Sequence, residues 1–184
     1  YSLMAVAGVP AIAFEISRIL SQYLEYYRRT QIRPMSLQRK IRTFSKLLKE
    51  NLTASTSGLT RVSPIFATHD IESGKPSIYY YDMLGAEFQV LSFTATGAGA
   101  GHIRDVLERE NQWGPKPLAE RCEKDAAIIA MKLLHVAAQI DNKQENAISN
   151  VQIYPILASV TENGHKFWSE DQLTRLDSMS REEK

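Results

Sequence analysis

Residues 63–109 read SPIFATHDIESGKPSIYYYDMLGAEFQVLSFTATGAGAGHIRDVLER. From Val62 onward, short apolar and β-branched runs, RVSPIFATHD, SIYYYD and EFQVLSFTA, are separated by Glu72-Ser73-Gly74-Lys75-Pro76 and by Met83-Leu84-Gly85-Ala86. Runs of this length between turn-forming residues read as three adjacent strands, antiparallel because the separators are short. The third strand runs into Gly97-Ala98-Gly99-Ala100-Gly101 and then into a helix carrying Ile103, Val106 and Leu107, closed by Trp113-Gly114-Pro115. A glycine-rich turn from strand to helix suits a phosphate, because it presents backbone N–H groups at the positive end of a helix. This one lacks the Lys-Ser or Lys-Thr ending of a phosphate-binding loop, so a tight packed corner is the better reading of these residues.

Upstream of that stretch, YSLMAVAG places Leu3 to Ala7 in one apolar run that reads as a buried strand. After Gly8 and Pro10, apolar residues at Ile12, Ile16, Ile19, Leu20, Tyr23 and Tyr27 keep to one face of a helix. Pro34 interrupts the chain. Ser36 is a suitable N-cap for a second helix, with Leu37, Ile41, Phe44, Leu48 and Leu52 on one stripe. Downstream, Leu118 to Ile140 reads as a helix whose segment AAIIAMKLLHVAA is apolar on most sides and is expected to be heavily buried. NVQIYPILASVTENG reads as a last strand and turn, and WSEDQLTRLDSMSREEK as a polar terminal helix.

The order of elements is thus strand, two helices, a meander of strands, two helices, a strand and a helix. Helix pairs set between antiparallel strands argue for a layered α+β fold and against a doubly wound parallel sheet, in which single helices alternate with strands. With 184 residues, 43% of them hydrophobic and 23% charged, the chain is expected to form a single domain, 1–184. Its 22 Lys and Arg residues against 21 Asp and Glu leave a formal charge of +1, so no global field draws it to nucleic acid or to a membrane. No apolar run approaches the roughly 20 residues of a membrane-spanning helix. Cys122 stands alone, which excludes an internal disulfide and points to a reducing compartment; a cytoplasmic location is the expectation.

Candidate chemistry is sparse. The histidines His69, His102, His135 and His165 are scattered one to an element without metal-ligand spacing, and His135 reads as a hydrogen-bonded core residue. Neither a metal nor a cofactor is expected. Between Arg28 and Lys49 lie eight cations, Arg28, Arg29, Arg33, Arg39, Lys40, Arg42, Lys46 and Lys49, with no acid among them. Such a cluster could bind phosphates and would then show steep salt dependence. The near-neutral total favours a solvated or subunit-facing helix surface instead. No Gly-x-Ser-x-Gly elbow is present.

Taken together, AVAGVPAIAFEISRILSQYLEYY, the 63–109 stretch, and DAAIIAMKLLHVAAQIDN followed by IYPILASVTENG resemble, in order and spacing, proteasome β-type subunits, most closely the bacterial branch. The resemblance implies a four-layer αββα sandwich, two antiparallel sheets flanked by helix pairs, assembled into stacked rings. It further implies that family members carry two strands ahead of Tyr1, with an N-terminal threonine nucleophile whose own amine is the base, so that this chain corresponds to an N-terminally truncated domain and lacks that nucleophile. The parent activity so implied is a threonine-type endopeptidase acting on peptides or unfolded proteins, in a self-assembled ring with an α-type subunit as a further partner. The alternative is a non-catalytic ring-forming subunit.

By position, Gly8 then matches the glycine whose N–H stabilises the oxyanion, and Asp141 the aspartate that supports the threonine. Val6, Pro10 and Phe14 match the wall of the pocket for the substrate side chain before the cut bond. Three positions depart from the family. Ala98 and Ala100 stand where serines are common, and Gln144 stands where a serine or threonine follows the loop aspartate. The resemblance thereby turns the glycine stretch into a family corner that has lost a nearby hydroxyl.

Overall fold

The computed structural model describes residues 1–54, 62–82, 84–145 and 155–182; within these, only the backbone is described at 51–54, 139–145 and 180–182. The chain divides into two compact units, Tyr1–Gly97 and Ala98–Lys184. Among the described residues there are two antiparallel sheets and five α-helices, the mixed architecture expected from the sequence.

In the first unit, β1 (Ser2–Gly8), β2 (Val62–His69), β3 (Pro76–Tyr81) and β4 (Glu87–Val90) form one sheet in the order β1-β2-β3-β4. All three pairings are antiparallel, with Gly8 opposite Val62, Ile65 opposite Tyr80 and Tyr80 opposite Phe88. Two helices, α1 (Pro10–Gln31) and α2 (Leu37–Ala54), follow β1. Successive strand residues point to opposite faces. Val62 and Phe66 of β2 and Tyr79 and Tyr81 of β3 therefore meet the helical stripes, Ile16 and Leu20 of α1 and Ile41, Phe44 and Leu48 of α2. Phe44 is the hub: it is fully buried, its ring lies edge-on to Tyr81 at 4.7 Å, and Phe66 is 5.8 Å away. On the opposite face of the sheet, Tyr80 and Phe88 stack at 4.9 Å.

Ser36 lies where the sequence puts the N-cap of α2: its carbonyl accepts the Lys40 N–H at 3.0 Å. The third predicted strand is shorter than expected. Pairing stops at Val90, opposite Ile78, and Leu91 is fully exposed, although β3 itself runs back to Pro76.

In the second unit, α3 (Ala100–Trp113) leads through a single 3-10 turn (Leu118–Glu120) to α4 (Glu123–Glu145), then to a hairpin, β5 (Ala158–Thr161) and β6 (Gly164–Phe167), and to α5 (Glu170–Glu182). Ala127, Ile128 and Met131 of α4 pack against Leu173 and Leu176 of α5. Two expectations are corrected here. The sequence suggests one helix from Leu118 to Ile140, whereas Pro117 and the Arg121–Cys122 break separate a short turn from α4, which runs on to Glu145. Nor is α4 buried all round: Leu134 is 40% and Val136 48% exposed. An additional strand, β6, pairs with β5 through a two-residue turn at Glu162 and Asn163; Gly164 and the short GHKF run after it give little strand signal in the sequence. Part of the predicted last strand, 151–154, lies outside the described residues.

Candidate active site

Four of the residues marked in the sequence, Val6, Gly8, Pro10 and Phe14, lie at the junction of β1 and α1. Here a single residue, Val9, separates the strand from the helix, so the backbone has to bend sharply at the strand end. Gly8 makes that bend with φ of 118°, a region that an L side chain enters only under strain. Val9 follows in the extended region as the N-cap residue, and its carbonyl accepts the Ala13 N–H at 3.1 Å. Pro10 takes the first helical position, where a missing N–H costs nothing and its fixed φ suits the helix. Four residues later comes Phe14, on the same side of α1. Both are exposed, Phe14 to 76%. Val6 behaves differently: it is half-buried and packs on the core between sheet and helices. The structure thus presents Pro10 and Phe14 together beside Gly8, while Val6 is drawn inward.

The glycine stretch arrives at the same end of β1. The Thr96 hydroxyl donates to the Ser63 carbonyl at 3.0 Å, and Ser63 is the register partner of Ala7. Gly97, with φ of 106°, sits so that a Cβ would lie 3.7 Å from the Ala7 methyl, an ordinary contact; its backbone angle, and not lack of space, is what calls for glycine. Thr96 was not marked by sequence reasoning. A threonine before a glycine turn is too common a pattern to single out, and only the sheet register shows what it ties down.

Beyond Gly97 the stretch belongs to the second unit. Ala98 is exposed, and Ala100, the first residue of α3, is buried. Gly99 approaches α4, where its Cβ would stand 3.4 Å from the Ala137 methyl. No side chain caps α3. Asp141 and Gln144 fall within α4 and not in a loop, a correction to the sequence reading that follows from the longer helix; their side chains lie outside the described residues.

Shifted titrations fall elsewhere in the first unit. Burial holds Lys40 below the ordinary lysine range, with Asp70 opposing that shift. Asp70 is held low first by the Ser73 hydroxyl, which donates to it at 2.6 Å. This pair lies toward the Ser2 end of β1, since Ser2 is opposite Thr68. Burial raises the Tyr81 hydroxyl, which donates to the Ile41 carbonyl at 3.3 Å. The Gly8 end is therefore a site of backbone geometry and apolar side chains.

Acids just outside the cationic stretch attenuate it. Glu25 accepts from Arg28 at 2.9 Å and from Arg29 at 2.8 Å, Lys46 faces Glu50 at 3.6 Å, and Arg39 lies over the Tyr27 ring at 4.7 Å. His135 is not a core residue; its side chain is 32% exposed, with Nδ1 3.5 Å from Asp177 on α5. Among the described residues, no group of three or more His, Cys, Asp or Glu could hold a metal ion, and no helix is long and apolar enough to cross a membrane.

Residues 1–153 match the model of the proteasome subunit family. The chain is 30% identical over 176 residues to proteasome subunit beta 2 of Thermomonospora curvata, covering 96% of this chain and 60% of that protein. It is 27% identical to a proteasome subunit beta of Frankia casuarinae, over 94% of this chain and 61% of the relative. A proteasome subunit beta of Jonesia denitrificans is 31% identical over 94% of the chain and 55% of its own length. The chain thus spans 55–61% of the length of these relatives. The match over residues 1–153, together with relatives at 30% identity over nearly the whole chain, places the chain in the proteasome subunit family, as a β-subunit-like member.

Proposed function

We propose that the native protein is a threonine-type endopeptidase that cuts peptides or unfolded proteins inside a cytoplasmic ring built from copies of itself, with an α-type subunit as a further ring partner. The observation that carries this reading is the geometry of Gly8: a residue at φ of 118° at the mouth of α1, beside exposed Pro10 and Phe14. Such a residue puts a backbone N–H at a strand end where no side chain obstructs a substrate carbonyl.

In this mechanism the hydroxyl of an N-terminal threonine attacks the substrate carbonyl, and its own amine takes the proton. The Gly8 N–H donates to the oxygen as it becomes negative. The amine then returns the proton to the leaving nitrogen, and water releases the acylated threonine by the same route. Pro10 and Phe14 favour an apolar side chain on the residue before the cut bond, and Asp141 supports the threonine. The reading stands on the mature N-terminus of the native protein, since residue 1 of this chain is Tyr1.

One observation favours a second reading, a non-catalytic ring subunit. Ala98 and Ala100 carry no hydroxyl to order the amine and its water. Turnover of fluorogenic peptides by the native protein separates the two. Hydrolysis that prefers apolar residues before the cut and is abolished by an epoxyketone supports the peptidase; assembled particles without turnover favour the structural subunit.

A further inference from the structure

The β1–β2 ladder ends at the candidate site. Gly8 pairs with Val62 as its last rung and Ala7 with Ser63 as the one before, and among the described residues β1 has no strand on its other side. The last rung of such a strand opens more readily than the middle of a sheet. The direction of the Gly8 N–H therefore depends on what else fastens this end.

The segment 91–97 fastens it. β4 ends at Val90 opposite Ile78, and Ile78 stands opposite Ala67, four residues along β2 from Ser63. From there the chain doubles back to the Gly8 end, where the half-buried Thr96 donates its hydroxyl to the Ser63 carbonyl at 3.0 Å. Val6 packs on the core between sheet and helices, so Ala7 points to the other face of the sheet. On that face Gly97 comes close enough that a Cβ on it would lie 3.7 Å from the Ala7 methyl. Thr96 and Gly97 thus hold the same rung, one by the backbone of β2 and the other against the side chain of β1. Among the described residues no backbone–backbone hydrogen bond joins 91–97 to the sheet, which leaves the Thr96 hydroxyl to make that tie.

We propose that Thr96 is a positioning residue for the oxyanion donor: its hydroxyl clamps the end of the β1–β2 ladder and holds the Gly97 turn against Ala7, so that the Gly8 N–H keeps its direction. This role belongs to the peptidase reading and presupposes it. Thr96 acts through Ser63 and Gly97 and not on the substrate. An oxyanion donor works only when it is held within hydrogen-bond reach of the oxygen that becomes negative, so a small swing of Gly8 lowers the rate without abolishing substrate binding. Valine at position 96 keeps the branched shape and removes the donor; serine keeps the donor.

Fluorogenic-peptide kinetics and hydrogen exchange read by mass spectrometry, on the native protein as wild type, Thr96→Val and Thr96→Ser, provide the test. Thr96→Val is expected to lower kcat about tenfold with KM within about twofold of the wild type. Exchange in the peptide spanning Ser2–Gly8 should quicken about fivefold, the equilibrium worth of one hydrogen bond, while the α2 peptide around Phe44 keeps its protection and shows the fold intact. Thr96→Ser should restore most of both effects, which a merely space-filling threonine would not require. Absence of turnover in the wild type overturns the peptidase reading and this role with it. Turnover in the wild type combined with an unchanged kcat in Thr96→Val, with unchanged exchange in Ser2–Gly8, or with a loss that serine fails to restore, overturns the role of Thr96 alone.

Discussion

The two units solve the same problem, covering a helix, to different depths. In the first, α2 lays Ile41, Phe44 and Leu48 onto a four-stranded sheet, and Phe44 is fully enclosed by aromatic neighbours. In the second, α4 is apolar on most sides but buries one stripe, Ala127, Ile128 and Met131, against α5, leaving Leu134 and Val136 exposed. The difference teaches that amphipathicity states which face will be covered, whereas an all-round apolar helix states only that several faces want cover.

The comparison is broken most directly through the two cores. Phe44→Ala is expected to cost about 3–5 kcal/mol and to exceed Met131→Ala, although both residues are fully buried. Both tryptophans, Trp113 and Trp168, lie in the second unit, so their fluorescence in a denaturant titration follows that unit while far-ultraviolet circular dichroism follows both. A larger loss for Met131→Ala would refute the claim of a deeper first core.

Next in size is the junction of β1 and α1. Gly8→Val places a β-branched side chain at φ of 118° and in the path of a substrate carbonyl. Turnover should fall on the order of 10²-fold, the scale for losing one oxyanion donor. Backbone strain contributes about 1–2 kcal/mol of instability. A variant with unchanged kcat would separate Gly8 from the chemistry.

Polar contacts sharpen the contrast further. Arg121→Met removes a guanidinium with an 8% exposed side chain from Glu110 and should destabilise the second unit by about 1.5–3 kcal/mol, read from tryptophan fluorescence. The smallest effect belongs to the pairs at the end of α1. Glu25 is held down to about 2, first by the hydrogen bond from Arg28 and then by that from Arg29. A carboxylate lowered on folding adds stability above its unfolded value of 4.5 and loses it as the pH falls through about 2. The groups are solvated, so Glu25→Gln should change the melting temperature little at neutral pH, and any difference should vanish near pH 2. A large neutral-pH effect would show that the α1 terminus is more than a solvated surface.

Much of the first unit was legible because its periodicities are unambiguous: the stripe from Ile41 to Leu48 and the alternation of Val62, Pro64, Phe66 and Thr68 each fit one period. The α3–α4 region was less so, since Pro117 and Cys122 interrupt a pattern whose apolar content runs across the break. At the site, Gly8, Pro10 and Phe14 were marked by family resemblance, not by spacing, and the structure adds why Gly8 must be glycine. Thr96 and the Arg121–Glu110 pair were invisible because each depends on a partner distant in sequence.

The central claim is that a threonine heads the native chain and works beside Gly8. Intact-mass analysis of the native protein before and after an epoxyketone, with the adduct mapped by peptide sequencing, tests it most directly. The account predicts one adduct per chain on an N-terminal threonine, formed in step with the loss of peptide turnover. A mature N-terminus that is not threonine, or inhibition without a terminal adduct, would contradict it.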